Sequence, residues 1–531
     1  MAMTVRQLPV IVVLAALAAS QPHAQGPAAR GEGEAATEVT LVSPTAHPPM
    51  PRDMAAAWLG PESAQGRGTA AVHASNAARF YKEAEYAKAL VSAQQGASQP
   101  GPLAAYAAYY AGLAQLKLDK GADALKTFRG LTAQRPIGAL AEAALMGEAE
   151  AQLALEKPGD AVTIYTRLLD TKPTSLEDVL LRLGRAARAD GDLGKAADAF
   201  GRVYYEFALG EMASAAGAEL ATLPLRSATP NSGRFKLELG RAERFFGARR
   251  FKEARDAFGD LDSLATGDDR ELVRLRLAES DYFLKRTRAA RDAMRGLLDE
   301  RLSRRAEAMY FFAIAARDLG DAGTFLSITR KIIDEFPQDS WAEESLNALG
   351  THYILRNEDA TADAVFRELV EKFPTGKNAE RAAWKAGWRA YREGKYDDTV
   401  RFFEQASINF PRSDYRPSWL YWSARAHEKL SNRSLASLRH AVVVADYMNS
   451  YYGRLSVERL GPSASSSAKA MAATVAGDVE LPAGAPANAA TIKALLGAGM
   501  FDDALVEMRY ARRVWGDSPM LQATVAWTAQ Q

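Results

Sequence analysis

The sequence predicts an all-α fold: a solenoid, or α-superhelix, of about ten stacked helix pairs. Three observations carry this. Phe336-Pro337, Phe373-Pro374 and Phe410-Pro411 recur at a spacing of 37 residues, and Pro136 and Pro173 repeat the same interval. Gly350, Gly387 and Ala424, and separately Phe366 and Phe403, keep that period. No stretch shows the alternation of a strand. A fixed period in this range marks a repeat array in which each unit buries its apolar face on its neighbours.

The N-terminus, residues 1–24, reads as a signal peptide. Arg6 supplies the charged start, Pro9–Ala19 a short apolar run, and cleavage is expected after Ser20 or Ala24. That run is shorter than the ~20 residues a transmembrane helix needs. Residues 25–70 are rich in Gly, Ala, Pro and Glu without an apolar period, and are expected to form a disordered leader.

Residues 71–461 carry the array. Each unit has a first helix with small and large apolar residues at i, i+3, i+4 and i+7, such as Ala342, Ser345, Leu346 and Leu349. A second helix follows a short polar turn and stops at Phe-Pro, because proline cannot continue a helix and disfavours helical geometry in the residue before it. The phrases Glu85-Tyr86-Ala87-Lys88-Ala89 and Lys395-Tyr396-Asp397-Asp398 resemble tetratricopeptide turns, so the array is expected to be tetratricopeptide-like. Residues 462–486 are dominated by small residues and read as a linker. Residues 487–531 are helical again over Ala487–Leu496, Asp502–Val514 and Ser518–Thr528, and the chain is expected to stop inside the last helix.

Lys and Arg total 66 against 65 Asp and Glu, a formal charge of +1. Nucleic-acid binding, which needs a basic excess, is not indicated. The densest basic stretch, Arg234–Arg305, is interleaved with acids and reads as a solvated surface. There is no cysteine. Disulfides, thiolate metal sites and a thiol nucleophile are therefore excluded, which suits an exported protein in an oxidising periplasm.

Catalytic chemistry is not legible. His23, His47, His73, His352, His427 and His440 form no metal-ligand spacing, and the last three read as ordinary repeat-helix residues. No metal and no cofactor is expected. No nucleophile elbow or phosphate loop occurs. Aromatic residues gather late in the array: Trp341, Trp384, Trp388, Tyr415, Trp419, Tyr421, Trp422, Tyr447, Tyr451 and Tyr452. They are expected mainly to fill grooves between helices, with some on the concave face.

The segment Ser418-Trp-Leu-Tyr-Trp-Ser-Ala-Arg-Ala-His427, followed by Ser450-Tyr-Tyr-Gly-Arg-Leu455 and Glu458-Arg-Leu-Gly461, resembles the end of the superhelical domain of the soluble lytic murein transglycosylases. Trp422, Arg425 and Ala426 match that family's Trp-x-x-Arg-Ala helix, and Tyr451, Tyr452 and Gly453 its Tyr-Tyr-Gly turn. The tail from Ile492 to Met508 resembles the family's linker domain. The specific match covers about Pro411–Gln531. In that family the superhelix closes into a ring, and a following lysozyme-like domain cleaves peptidoglycan glycan with one glutamic acid in a Glu-Ser context. Here Glu-Ser occurs at Glu62, Glu279 and Glu344, in the leader and in repeat helices, without the family's accompanying motifs. No catalytic residue is carried over, and the chain is expected to be truncated before a catalytic domain.

The resemblance implies a periplasmic superhelical module that binds or acts on peptidoglycan, or guides a catalytic partner, with Trp422, Arg425, Tyr451, Tyr452 and Gly453 as candidate binding residues. The rival reading is a periplasmic tetratricopeptide scaffold that holds a protein or peptide partner for envelope assembly.

Overall fold

In the computed structural model, residues 42–45, 58–60, 68–225, 227–299, 301–473 and 485–531 are described. The signal-peptide expectation for residues 1–24 lies outside them. Among the described residues the secondary structure is helical, with 26 α-helices and no strand.

Ten antiparallel pairs form the array. They are α1 (Thr69–Lys82) with α2 (Tyr86–Ala97), α3 (Pro102–Lys117) with α4 (Gly121–Ala133), and α5 (Ala139–Ala154) with α6 (Pro158–Asp170). Next comes α7 (Leu176–Ala189) with α8 (Leu193–Gly201). A single helix, α9 (Ala213–Ala221), interrupts the series. It resumes with α10 (Gly233–Gly247) and α11 (Phe251–Asp262), α12 (Gly267–Phe283) and α13 (Thr287–Arg295), and α14 (Arg305–Asp318) and α15 (Ala322–Glu335). The last pairs are α16 (Ser340–Leu355) with α17 (Asp359–Lys372), α18 (Ala379–Arg392) with α19 (Tyr396–Asn409), and α20 (Arg416–Lys429) with α21 (Arg433–Tyr447). Then follow α22 (Tyr451–Leu460), α23 (Ala464–Ala473), α24 (Ala489–Ala498), α25 (Phe501–Trp515) and α26 (Pro519–Thr528). This is a tetratricopeptide-like α-superhelix.

One turn is copied in every pair. A left-handed residue follows the first helix, at Ala84, Asp119, Glu156, Gly191, Arg249, Lys285, Gly320, Asn357, Gly394 and Ser431. The next amide then reaches back five residues, as in Glu85 N–H to Phe80 O at 2.9 Å and Lys395 N–H to Ala390 O at 2.9 Å. This Schellman closure satisfies carbonyls that the helix end would leave bare. Gly499 and the Met500-to-Leu495 bond repeat it between α24 and α25, so the C-terminal helices share the array's local grammar.

Packing within a pair is set by a small residue facing a phenylalanine sixteen positions later. Gly112 meets Phe128, Gly184 meets Phe200, Gly350 meets Phe366 and Gly387 meets Phe403; a Cβ at Gly387 would lie 2.4 Å from the Phe403 ring. These four rings are almost wholly buried. At that separation a methyl group forces the ring out of its rotamer or the helices apart.

Successive first helices are joined by carboxylates. Glu142 on α5 accepts from Thr174 N–H (2.9 Å), just ahead of α7, and Glu343 on α16 from Asn378 N–H (2.6 Å), just ahead of α18. Glu271 on α12 likewise accepts from Arg304 N–H ahead of α14. Each supplies a partner and a negative charge to the positive end of the next helix. Helix α3 contains no carboxylate. Its place is taken by Glu507 on α25, which accepts from Ala139 N–H (2.9 Å) and Leu140 N–H (3.1 Å) at the start of α5.

Two expected boundaries shift. The stretch 462–486, read as a linker, begins with α23, which packs on α21 and buries Ala464 and Ala468; alanine is both the best helix former and small enough for that contact. Part of the expected leader is docked. Arg416 donates to Ser43 O at 2.6 Å, Thr45 N–H donates to Asp446 at 2.8 Å, and Val42 is buried against Leu420, Val442 and Val443. Leu59 is buried among α1, α3 and the C-terminal helices, and Trp58 meets Trp527 edge-on at 5.5 Å. Thirteen Cα steps join Thr45 to Trp58, so the tenth pair and the first repeats lie within roughly 47 Å of one another. The last helix ends at Thr528.

Candidate functional site

The first helices of the pairs offer two contrasting stretches. On α1, α3 and α5 that surface is filled by the chain itself. Helix α24 packs on α1 and α3, and α25 on α5. Ile492, Leu495, Leu496, Met508 and Leu521 are buried in one core with Ala74, Tyr106 and Leu140. Polar bonds fix the docking. Tyr106 donates to the fully buried Glu507 at 2.6 Å, Asn488 donates to the same carboxylate at 2.6 Å, and Tyr110 donates to Asp503 at 3.0 Å. Burial pushes the Asp503 carboxyl up to about 6, against the opposing pull of Tyr110 and Lys82.

Along α18, α20 and α22 the corresponding stretch carries a connected series of aromatic rings. Trp384 and Trp388 stack at 5.7 Å with planes 6° apart, and Trp388 and Tyr391 at 5.9 Å with planes 3° apart. The heptad-like spacing of these three residues puts them on one stripe of α18. Trp422 approaches Trp388 edge-on at 4.7 Å, and contact passes through Tyr421 (5.4 Å) to Tyr452 (5.3 Å) and Tyr451 (5.2 Å). Tyr451 is 69% exposed, and Tyr421 is buried. Trp419 is wholly buried and serves packing alone, while Tyr415 stacks on it at 5.6 Å and keeps an exposed edge.

The five residues singled out from the sequence therefore share one neighbourhood. Trp422, Tyr452 and Tyr451 belong to the ring series. Arg425 donates to the Tyr421 hydroxyl at 3.4 Å and pairs with Glu428 at 2.7 Å. Gly453 is structural: a Cβ there would lie 1.8 Å from the Tyr447 carbonyl oxygen, and its amide is capped by Ser450 at 3.0 Å. The sequence did not show that Trp388 and Tyr391 continue the series across two helices. Their i, i+4, i+7 spacing with Trp384 was the available signal.

Beside the rings lies a relay in the order Ser456, His440, Glu428. His440 is 3.0 Å from Ser456 Oγ through Nδ1 and 3.3 Å from Glu428 through Nε2. Burial lowers the His440 pKa, with Glu428 opposing. The order is that of a serine hydrolase, but Ser456 has no exposed surface where α22 meets α21, so no substrate reaches it. His427 is held inside a second network by Glu404 at 2.9 Å, which also binds Arg439 at 2.7 Å and Ser423 at 2.7 Å. Burial would raise the Glu404 carboxyl, yet these donors outweigh it and hold it at about 2. Of the Glu-Ser pairs, Glu279 is fully buried against Arg276 and its carboxyl is pushed well up by that burial. It opens onto no cleft. Among the described residues no group of three or more His, Cys, Asp or Glu is arranged for a metal, and no helix is long and apolar enough to cross a membrane.

No family model matches the chain, and no curated protein matches it. Solved structures that resemble it are tetratricopeptide-repeat proteins. The repeat domain of P58(IPK) is 17% identical over 69% of this chain and 98% of its own, with a TM-score of 0.21. The C-terminal part of a repeat protein from Cytophaga hutchinsonii is 16% identical over 52% and 98%, with a TM-score of 0.24. A repeat protein from Parabacteroides merdae is 13% identical over 54% and 98%, with a TM-score of 0.28. The class of protein defined by the chain's own geometry is a tetratricopeptide-like superhelix.

Proposed function

We propose that this chain is a periplasmic binding scaffold, the superhelical and linker part of a soluble lytic murein transglycosylase-like protein, and that it holds peptidoglycan glycan strands along α18, α20 and α22. The observation that carries the reading is the ring series from Trp384 to Tyr451, which ends in an exposed tyrosine and includes Tyr421, whose hydroxyl accepts from Arg425 of the Arg425–Glu428 pair. Flat apolar ring faces suit the C–H faces of sugars, and adjacent charged groups suit their hydroxyls. Binding of the purified chain to isolated cell-wall sacculi, compared with Tyr451→Ala and Trp422→Ala, tests it. Wild-type chain should sediment with sacculi and both variants should be depleted from the pellet; sedimentation of neither form sinks the proposal.

A second reading draws on the other stretch. The first helices α1, α3 and α5 already accept a helical pair, α24–α25, through apolar packing and buried carboxylates. A surface of this type along the later pairs would take a helical segment of a protein partner. Capture of a lysozyme-like partner without affinity for sacculi favours this reading over the first.

A further inference from the structure

The repeat order breaks once, between α8 and α10, and a cavity opens at the break. The end of α8 widens into a π-turn at Arg202–Glu206, and α9 stands alone where a pair would fit. The cavity measures about 530 Å³ and is lined by Tyr204, Leu220, Leu264, Arg234 and Arg241, together with the carboxylates Glu238 and Asp260, among others. A single-turn π-bulge shifts every later side chain around the helix axis and often accompanies function. Here it turns Tyr204 and Tyr205 into different environments. The Tyr205 hydroxyl bonds to Glu238 at 2.8 Å, and Tyr204 lies against Gly217, where a Cβ would come within 2.6 Å of its ring.

The Tyr204 ring supports Arg241. The guanidinium carbon lies 4.0 Å from the centroid of Tyr204 and 4.5 Å from that of Phe245. Its Nε is buried and has no hydrogen-bond partner among the described residues. Other arginines on the first helices are engaged: Arg182 with Glu150 and Asp178, Arg276 with Glu243, Glu279 and Glu307, Arg416 with Asp446. The nearby Glu238 is occupied by Tyr205 and by Arg234 at 3.5 Å. Arg241 as a whole is half-buried, and a guanidinium supported on two rings presents a planar fork suited to a carboxylate.

We propose that this cavity binds a free carboxylate attached to an apolar side chain, as at the C-terminus of a peptide or on a free amino acid. The carboxylate bonds to the Arg241 fork, and the side chain lies on Leu220, Leu261 and Leu264. The site is separate from the aromatic stripe and independent of the function proposed for it.

The test is calorimetric titration of the full chain with N-acetyl-Ala-Ala-Leu, with the same peptide as its C-terminal amide, and with free leucine. The acid should bind, and the amide should bind at least about tenfold more weakly, since bonds to charged groups are worth that much. Arg241→Gln should lose the acid to the same degree, and Arg241→Lys should lose part of the affinity while keeping the charge, with thermal unfolding confirming that both variants fold. Free leucine binding as tightly as the peptide assigns the site to amino acids; weaker binding assigns it to peptide ends. Equal affinity for acid and amide, no detectable binding of either carboxylate up to about 1 mM, or undiminished binding by Arg241→Gln overturns the proposal.

Discussion

The first helices α1, α3 and α5 and the later helices α18, α20 and α22 put similar surfaces to opposite uses. On α3, tyrosines point their hydroxyls at carboxylates of α25 and disappear from the surface: Tyr106 and Tyr110 are buried. On α18, α20 and α22, aromatic rings stack on one another and leave Tyr451 exposed. The difference lies in the partner. The N-terminal stretch meets a helical pair of its own chain. The later first helices, α12 to α20, pack chiefly on their neighbours within the array. A repeat surface is thus fitted for either role by a handful of side chains.

The largest effect should come from Glu507→Ala. It strips a fully buried carboxylate from two backbone amides and a tyrosine, each left without its partner, and from Asn488, which keeps only its bond to the backbone carbonyl of residue 507. Denaturant unfolding should show a loss of roughly 4 kcal/mol. Limited proteolysis should release residues 487–531 while α16–α21 stay protected. Protection of the tail in this variant would refute its role as the clasp.

Acidity should separate the two stretches by sign. Asp503 has a folded pKa of about 6, above the unfolded value of about 3.9, so the folded state binds the proton more tightly. Docking of the C-terminal helices should strengthen by roughly 2 kcal/mol as pH falls from about 6 to about 4, after allowance for screening. Asp503→Asn should flatten that window. Glu404, held at about 2, behaves oppositely: its contribution is complete above about 4.5 and is lost as pH falls toward 2. Hydrogen exchange in α3 and in α19–α21, followed against pH, reads the two windows separately.

Smaller effects belong to the stripe. Trp422→Ala removes a half-buried ring in contact with Trp388 and Tyr391, and should cost about 2 kcal/mol of stability as well as weaken sacculus binding. Tyr451→Ala should change stability by less than about 0.5 kcal/mol, because the ring is mostly in solvent, while still reducing binding. A Tyr451→Ala chain that sediments with sacculi as well as wild type would reduce the exposed end of the stripe to decoration.

Much of the fold was open to reading because the repeat writes its rules locally. Phe-Pro stops, small residues at Gly350 and Gly387, and the Phe366 and Phe403 plugs recur at one interval, and each acts within a single helix pair. That Trp422, Arg425, Tyr451, Tyr452 and Gly453 neighbour one another was open to reading too, since they sit in short motifs on α20 and α22. Their continuation into Trp384, Trp388 and Tyr391 was less so, since it needs the lateral offset between neighbouring helices. Residues 464–473 misled because small residues serve a flexible linker and a tightly packed helix equally well, and only burial against α21 selects the helix.

By itself, the sequence determined the helix period, the turns between paired helices and the apolar plugs, all contacts between residues fewer than forty apart. Tertiary structure alone decided that Glu507 caps α5, that Arg416 holds Ser43 and Thr45, and that Arg241 lines a cavity on two supporting rings with its Nε lacking a hydrogen bond. The first two join residues more than three hundred and fifty apart, and no local pattern encodes which distant carboxylate or carbonyl a buried donor will meet. That choice is made by how the segments outside the array, residues 42–45, residues 58–60 and α24–α26, dock on its helices.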